Sequence, residues 1–202
     1  AEEVARAFGQ LVGCPTTPTD QLEEALECLN KSPLAYFGGH GDIVGDMGAG
    51  LRFPGGYLTT DEILRCEASS RRFALVASCS SAAIDPQQPD EVLGLPRALL
   101  EIGFQGVVAS LWPVDDRAAF LLVLKFLAGV GNGLSGPESL SRARRWLRET
   151  KRERLIDWVS DSTDAATVSH ETRDQLTSWL IDRGETPCSD ARYWGSFIYV
   201  GS

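Results

Sequence analysis

Short apolar runs alternate with helix-period segments along the whole chain, and this alternation constrains the fold more than any other feature. Strands covered on both faces read as unbroken apolar runs, and joining them in parallel needs a crossover long enough for a helix. The pattern predicts an α/β layered domain with a largely parallel sheet. Its strands are expected at 33–38 (PLAYFG, buried), 73–78 (FALVAS) and 105–111 (QGVVASL), with 194–201 (WGSFIYVG) closing the sheet. Helices are expected at 2–12, at 20–30 with Asp20 as N-cap, at 60–65 capped by Thr59 or Thr60, and at 171–182. Two further helices end near Ile102 and Val130, the first with Pro96 in its first turn and the second capped by Asp115 or Asp116. The 202 residues fit one domain, 1–202.

Nineteen basic against 28 acidic residues leave a formal charge of −9, which argues against nucleic acid or an anionic membrane as the main partner. No apolar run is long enough to span a bilayer, and the acidic N-terminal stretch AEEVARAFGQLVG lacks the pattern of a signal peptide. The five cysteines, 14, 28, 66, 79 and 188, form no CxxC pair, so reduced thiols in the cytoplasm fit better than a disulfide framework or a zinc site. No metal or cofactor is expected.

Basic residues concentrate in 142–154 (RARRWLRETKRER), with seven cations and two carboxylates, leaving 12 basic against 26 acidic residues elsewhere. Leu140, Ala143, Trp146 and Leu147 fall on one helical face there, so the arginines are expected to solvate the opposite side. Docking of a partner domain is the alternative. From Gly38 to Gly56 the chain places eight of its 20 glycines, with a hairpin expected to turn at Pro54-Gly55-Gly56.

Chemistry gathers at two strand ends. His40, in GGHGD, follows the first apolar run, and Cys79, in VASCSS, follows the second. In an open parallel sheet the carboxyl ends of the strands form the ligand crevice, so neighbouring strands would bring these residues to one edge. A thiol within reach of an imidazole is the minimum for nucleophilic catalysis, because the thiolate is the reactive form. Gly41 leaves its backbone N–H open to a reacting carbonyl, and with the N–H of Cys79 it would make a two-donor oxyanion hole. The same residues also suit a structural reading, the Cys as a small buried hydrophobe and the His as a turn residue.

Phosphate-loop and serine-hydrolase readings fail, since no Gly-Lys-Ser/Thr and no G-x-S-x-G occurs. Cys14, Cys28, Cys66 and Cys188 are expected to be structural, and His170 to be a surface residue near a helix cap. Asp42, Asp46, Asp85, Asp90, Glu91, Asp115 and Asp116 cluster around the strand ends, either as helix caps and loop residues or as a field favouring a basic substrate residue.

The ordered blocks YFGGHGD, GGYLTTDEI, FALVASCSSA, DEVLGLPRALLEIGFQGVVASLWPVDDRAAFLLVLKFL, ARRWLRET and DARYWGSFIYVG resemble the CHAT domains. These are caspase-like cysteine peptidases related to separase, often fused to tetratricopeptide repeats. The resemblance runs from about residue 20 to 201. It implies a three-layer caspase-like fold, with His40 as the family's histidine, Cys79 as the nucleophile and Gly41 at the oxyanion hole. It also implies that Asp115 or Asp116, in SLWPVDD, contacts the residue before the scissile bond. The expected function is a cysteine endopeptidase acting on specific protein substrates, under control of a tetratricopeptide-repeat or other regulatory domain. A catalytically quiet scaffold that signals by binding is the alternative. CHAT domains usually begin with a strand upstream of the helix at 2–12, so the chain is expected to be a fragment lacking that strand and any regulatory repeats.

Overall fold

The computed structural model describes residues 19–32, 34–39, 41–43, 49–66, 73–78, 94–161 and 168–202. The chain divides into two compact units, Thr17–Pro113 with Ser196–Ser202, and Val114–Gly195. The expected helix at 2–12 and the loop at 85–90 lie outside the described residues.

The first unit is built on a four-stranded sheet of order β1-β5-β6-β7, formed by Leu34–Gly39, Phe73–Ser78, Gly106–Ser110 and Phe197–Gly201. β1, β5 and β6 run parallel, and β7 pairs antiparallel with β6. Side chains alternate across a strand, and on one face Ala74, Val76 and Val107 enter a core with Leu29, Leu58, Ile63, Leu95, Leu99 and Phe104. Leu75 and its register partner Val108, on the other face, are equally buried, which is why FALVAS and GVVAS read as continuous apolar runs. β1 lies at the edge of the sheet among the described residues, so Ala35, Tyr36 and Phe37 are only half-buried. The buried strand expected at 33–38 is thus half-buried at these three residues.

Helix α1 (Leu22–Lys31) buries Ala25 and Leu29, with Leu22 and Leu26 packed beside them, as its apolar spacing predicts. Asp20 is not its N-cap. Gln21 takes that position without a side-chain cap, and the Asp20 carboxylate instead accepts from the Gln21 amide at 2.7 Å. A second, antiparallel sheet follows β1, with strand order β2 (Gly41–Ile43), β3 (Ala49–Phe53) and β4 (Gly56–Thr59). The β3–β4 hairpin turns at Pro54-Gly55, where Gly55 takes φ +103°, a conformation that favours glycine. Thr59 then caps the short α2 (Thr60–Leu64) in a reciprocal box, its hydroxyl accepting from Glu62 N–H while Glu62 accepts from Thr59 N–H at 2.8 Å.

Helix α3 (Gly94–Glu101) precedes β6 and buries Leu95, Pro96, Ala98 and Leu99. Pro96 sits in its first turn, where a missing N–H costs nothing. Gly103 at φ +101° ends it, and Phe104 N–H donates back to Leu99 C=O, turning Phe104 into the core.

The second unit is helical. α4 (Asp116–Gly131) and α5 (Gly136–Glu149) form a hairpin around Asn132–Ser135, with Gly133 at φ +85°. They approach closely because Gly129 has no side chain. A Cβ there would stand 2.2 Å from Ser139 Oγ, which donates to Phe126 C=O. α6 (Arg152–Asp161) packs against α7 (His170–Ile181), which Ser169 caps. The basic stretch 142–154 therefore spans two helices, broken at Thr150, whose hydroxyl donates to Trp146 C=O at 2.5 Å. The closing strand is also shorter than expected. Trp194 ends a 3₁₀ turn (Ala191–Tyr193), and β7 begins at Phe197.

Candidate functional site

The three parallel strands end at Gly39, Ser78 and Ser110, defining the carboxyl edge of the sheet. Gly39 and Ser78 are the last register pair of β1 and β5. Beyond Gly39 the chain passes through His40 to Gly41, which opens β2 and pairs with Leu51 in the antiparallel sheet. Beyond Ser78 comes Cys79. Both His40 and Cys79 lie outside the described residues, as do Cys14, Asp46, Asp85, Asp90 and Glu91.

At the end of β6 the buried Ser110 hydroxyl donates to Trp112 C=O at 2.6 Å. Leu111 N–H donates to Ser196 C=O at 3.0 Å, one step past the Ser110–Phe197 register pair, so the chain is held as it leaves the sheet. The Trp112 indole that follows is 40% exposed, unusual for so large an apolar side chain.

In the helical unit Asp115 is the N-cap of α4. One carboxylate oxygen accepts from Arg117 N–H at 3.0 Å and Ala118 N–H at 3.4 Å, while the other lies 3.8 Å from Arg183. The Arg183 guanidinium stands over the Trp179 ring at 4.2 Å and donates to the Tyr193 hydroxyl at 2.5 Å. The Asp115 carboxylate is thus taken up by a helix end and a fixed cation. Asp116, the first residue of the helix, is exposed. Sequence reasoning missed Arg183 altogether, because a single arginine after a helix carries no periodic or motif signal.

None of the described cysteines has the surroundings of a nucleophile. Burial pushes the Cys188 thiol up to about 12. Partial burial, with Glu27 and Glu24 nearby, raises Cys28 as well. Cys66 is buried and its Sγ lies 3.6 Å from Glu62 C=O as a donor. A reactive thiolate needs an electropositive, accessible setting. His170 begins α7 with its side chain 92% exposed, bonded to Asp174 at 2.9 Å, a surface residue beside a cap as expected. Among the described residues no helix is long and apolar enough to cross a membrane.

A mixed α/β chain with a mostly parallel sheet, running from two paired strand ends into a glycine-flanked histidine and a cysteine among small residues, has the layout of the caspase-like class. The chain belongs to the CHAT domain family, whose match covers residues 1–202. That family is related to the caspase-like cysteine peptidases. The chain is also 32% identical over 94 residues, 46% of its length, to tetratricopeptide repeat protein 28 of Mus musculus, of which the match spans 4%.

Proposed function

We propose that this chain is a cysteine endopeptidase domain of three-layer caspase-like architecture, with Cys79 as nucleophile and His40 as its acid–base partner. The Cys79 thiolate attacks the peptide carbonyl carbon and forms a C–S bond. The N–H groups of Gly41 and Cys79 hold the resulting oxyanion. His40 then gives its proton to the leaving amine as the C–N bond breaks, and water, deprotonated by His40, hydrolyses the thioester.

One observation carries this reading, the register pairing of Gly39 with Ser78, the residues immediately before His40 and Cys79. Membership of the CHAT family and the protonated or buried state of the described cysteines support it. Of Asp115 and Asp116, the exposed Asp116 is the one this reading assigns to the substrate residue before the scissile bond, Asp115 being engaged as a cap. The name of the murine relative supports an association with tetratricopeptide repeats, to which this reading assigns control of the site, and the absence of paired cysteine spacing supports a cytoplasmic setting. The test is cleavage of a peptide library by the wild-type chain, by Cys79→Ala and by His40→Ala. Cleavage lost in both variants with the fold intact is expected, and full cleavage by Cys79→Ala excludes the assignment.

A further inference from the structure

The seven cations of 142–154 divide into two groups in the helical unit. Arg144 and Arg148 stand over the Trp194 ring at 5.5 and 5.3 Å, and Arg152 donates to Arg183 C=O at 2.9 Å, so three of them serve packing. The other four, Arg142, Arg145, Lys151 and Arg154, line one open groove of about 590 Å³ where α5 gives way to α6, with Trp146 among them. Arg142 pairs with Glu138 and Lys151 with Glu185, both along the exposed surface. The single carboxylate lining the groove, Glu149, is drawn to Arg148. Arg145 and Arg154 are exposed, and neither has an ion-pair or hydrogen-bond partner among the described residues.

Carboxylates do stand one turn away in sequence, Glu149 four residues after Arg145 and Asp157 three after Arg154, yet Glu149 pairs with Arg148 and neither groove arginine is paired as Arg142 is with Glu138. The Glu185 carboxylate, hydrogen-bonded to Lys151, holds that ammonium protonated, so a third cation lines the groove with Arg145 and Arg154. The groove is a local excess of positive charge on a chain whose remainder carries 12 basic against 26 acidic residues. Its size is that of a ligand cleft, and arginine and tryptophan are the residues that most often anchor interfaces.

We propose that this groove docks a carboxylate-rich peptide segment of a partner protein, with Arg145 and Arg154 pairing its acidic side chains and Trp146 meeting an apolar one between them. The Trp146 surface favours a peptide over a phosphate chain, which has no apolar group to place there. The site is independent of the peptidase chemistry.

Fluorescence anisotropy tests it with the 202-residue chain and a fluorescein-labelled peptide of alternating Glu and Leu. Binding that weakens with added salt is expected, and Arg145→Glu/Arg154→Glu should weaken it at least about tenfold, as reversal of two interfacial charges does. The milder Arg145→Gln/Arg154→Gln should fall between, while Arg117→Glu, an exposed arginine of α4, should bind like wild type. Equal affinity of the reversed variant for the peptide overturns the proposal. So does tighter binding of inorganic polyphosphate than of the peptide, or self-association of the chain that the reversal abolishes.

Discussion

Gly39 and Ser78 face each other as the final register pair of two parallel strands, so β1 and β5 end level at the carboxyl edge of the sheet. Adjacent strands lie about 4.8 Å apart. The pairing depends on an ordinary fact of burial. FALVAS must sit between two strands because both of its faces are apolar, and β1 and β6 are those two strands.

The state of the cysteines makes the nucleophile assignment measurable without a substrate. At pH 7 a thiol with pKa near 12 is about 10⁻⁵ ionised, against a few per cent for an unperturbed one. Brief treatment of the native chain with iodoacetamide should therefore modify Cys79 first and leave Cys66 and Cys188 unmodified. Peptide mass spectrometry reads the sites. Labelling of Cys188 or Cys66 as fast as Cys79 removes the physical argument for Cys79.

How legible these features were in the sequence follows from how local their causes are. The strands at 73–78 and 106–110 (expected at 105–111) and the turn at Gly55 were readable, and the caps at Thr59 and Asp115 were narrowed to two neighbouring residues each, since each rests on a short apolar run or on residues within one turn. The half-buried state of β1 was not, because edge position is decided by which strands pair, not by PLAYFG itself. The groove at Arg145 and Arg154 was visible only as a basic stretch. Its shape comes from the break at Thr150, which redirects the chain between α5 and α6. Arg183 gave no signal at all, since its partners Asp115, Trp179 and Tyr193 are assembled by tertiary packing.

Asp115 and Asp116 should separate cleanly. Asp115→Ala removes two bonds to the start of α4 and leaves Arg183 without its carboxylate, which should cost about 1–2 kcal/mol of stability. Asp116→Ala, at an exposed position, should change stability by less than about 0.5 kcal/mol. If Asp116 meets a basic substrate residue, its variant should raise KM for such substrates while Asp115→Ala lowers the midpoint of urea unfolding. The reverse pattern in the two assays would assign the roles the other way round.

Tyr199 on β7 lies across Gly106 on β6 and stacks on Phe73 of β5, their ring centroids 6.3 Å apart. A Cβ at position 106 would stand 1.9 Å from the Tyr199 hydroxyl oxygen, so the ring must swing off Phe73 to admit one. Gly106→Ala should therefore destabilise the chain by about 1–3 kcal/mol, the usual scale for overpacking. In a Tyr199→Ala background the same substitution should cost much less, because the obstructing ring is gone. Additive losses in urea denaturation would show that something other than this contact restricts position 106.

Cys188 should leave its mark on alkaline stability. Burial is the main cause of its raised thiol, with Asp115 adding to the rise and Arg183 opposing it. In the unfolded chain the thiol ionises near its ordinary value of about 9, whereas in the folded chain it holds its proton to about 12. Between those values the unfolded state binds fewer protons than the folded one, so stability must fall as pH rises. The loss begins near pH 9 and reaches the order of 4 kcal/mol if the whole window is crossed, one pKa unit being worth about 1.4 kcal/mol. Cys188→Ala removes this contribution, leaving the titration of tyrosines and lysines common to both proteins. The stability difference between wild type and variant, measured by urea unfolding from about pH 7 to about pH 11, should shrink steadily above pH 9 and then favour the variant. A difference that stays constant across that range would mean that the Cys188 thiol ionises as readily in the folded chain as in the unfolded one.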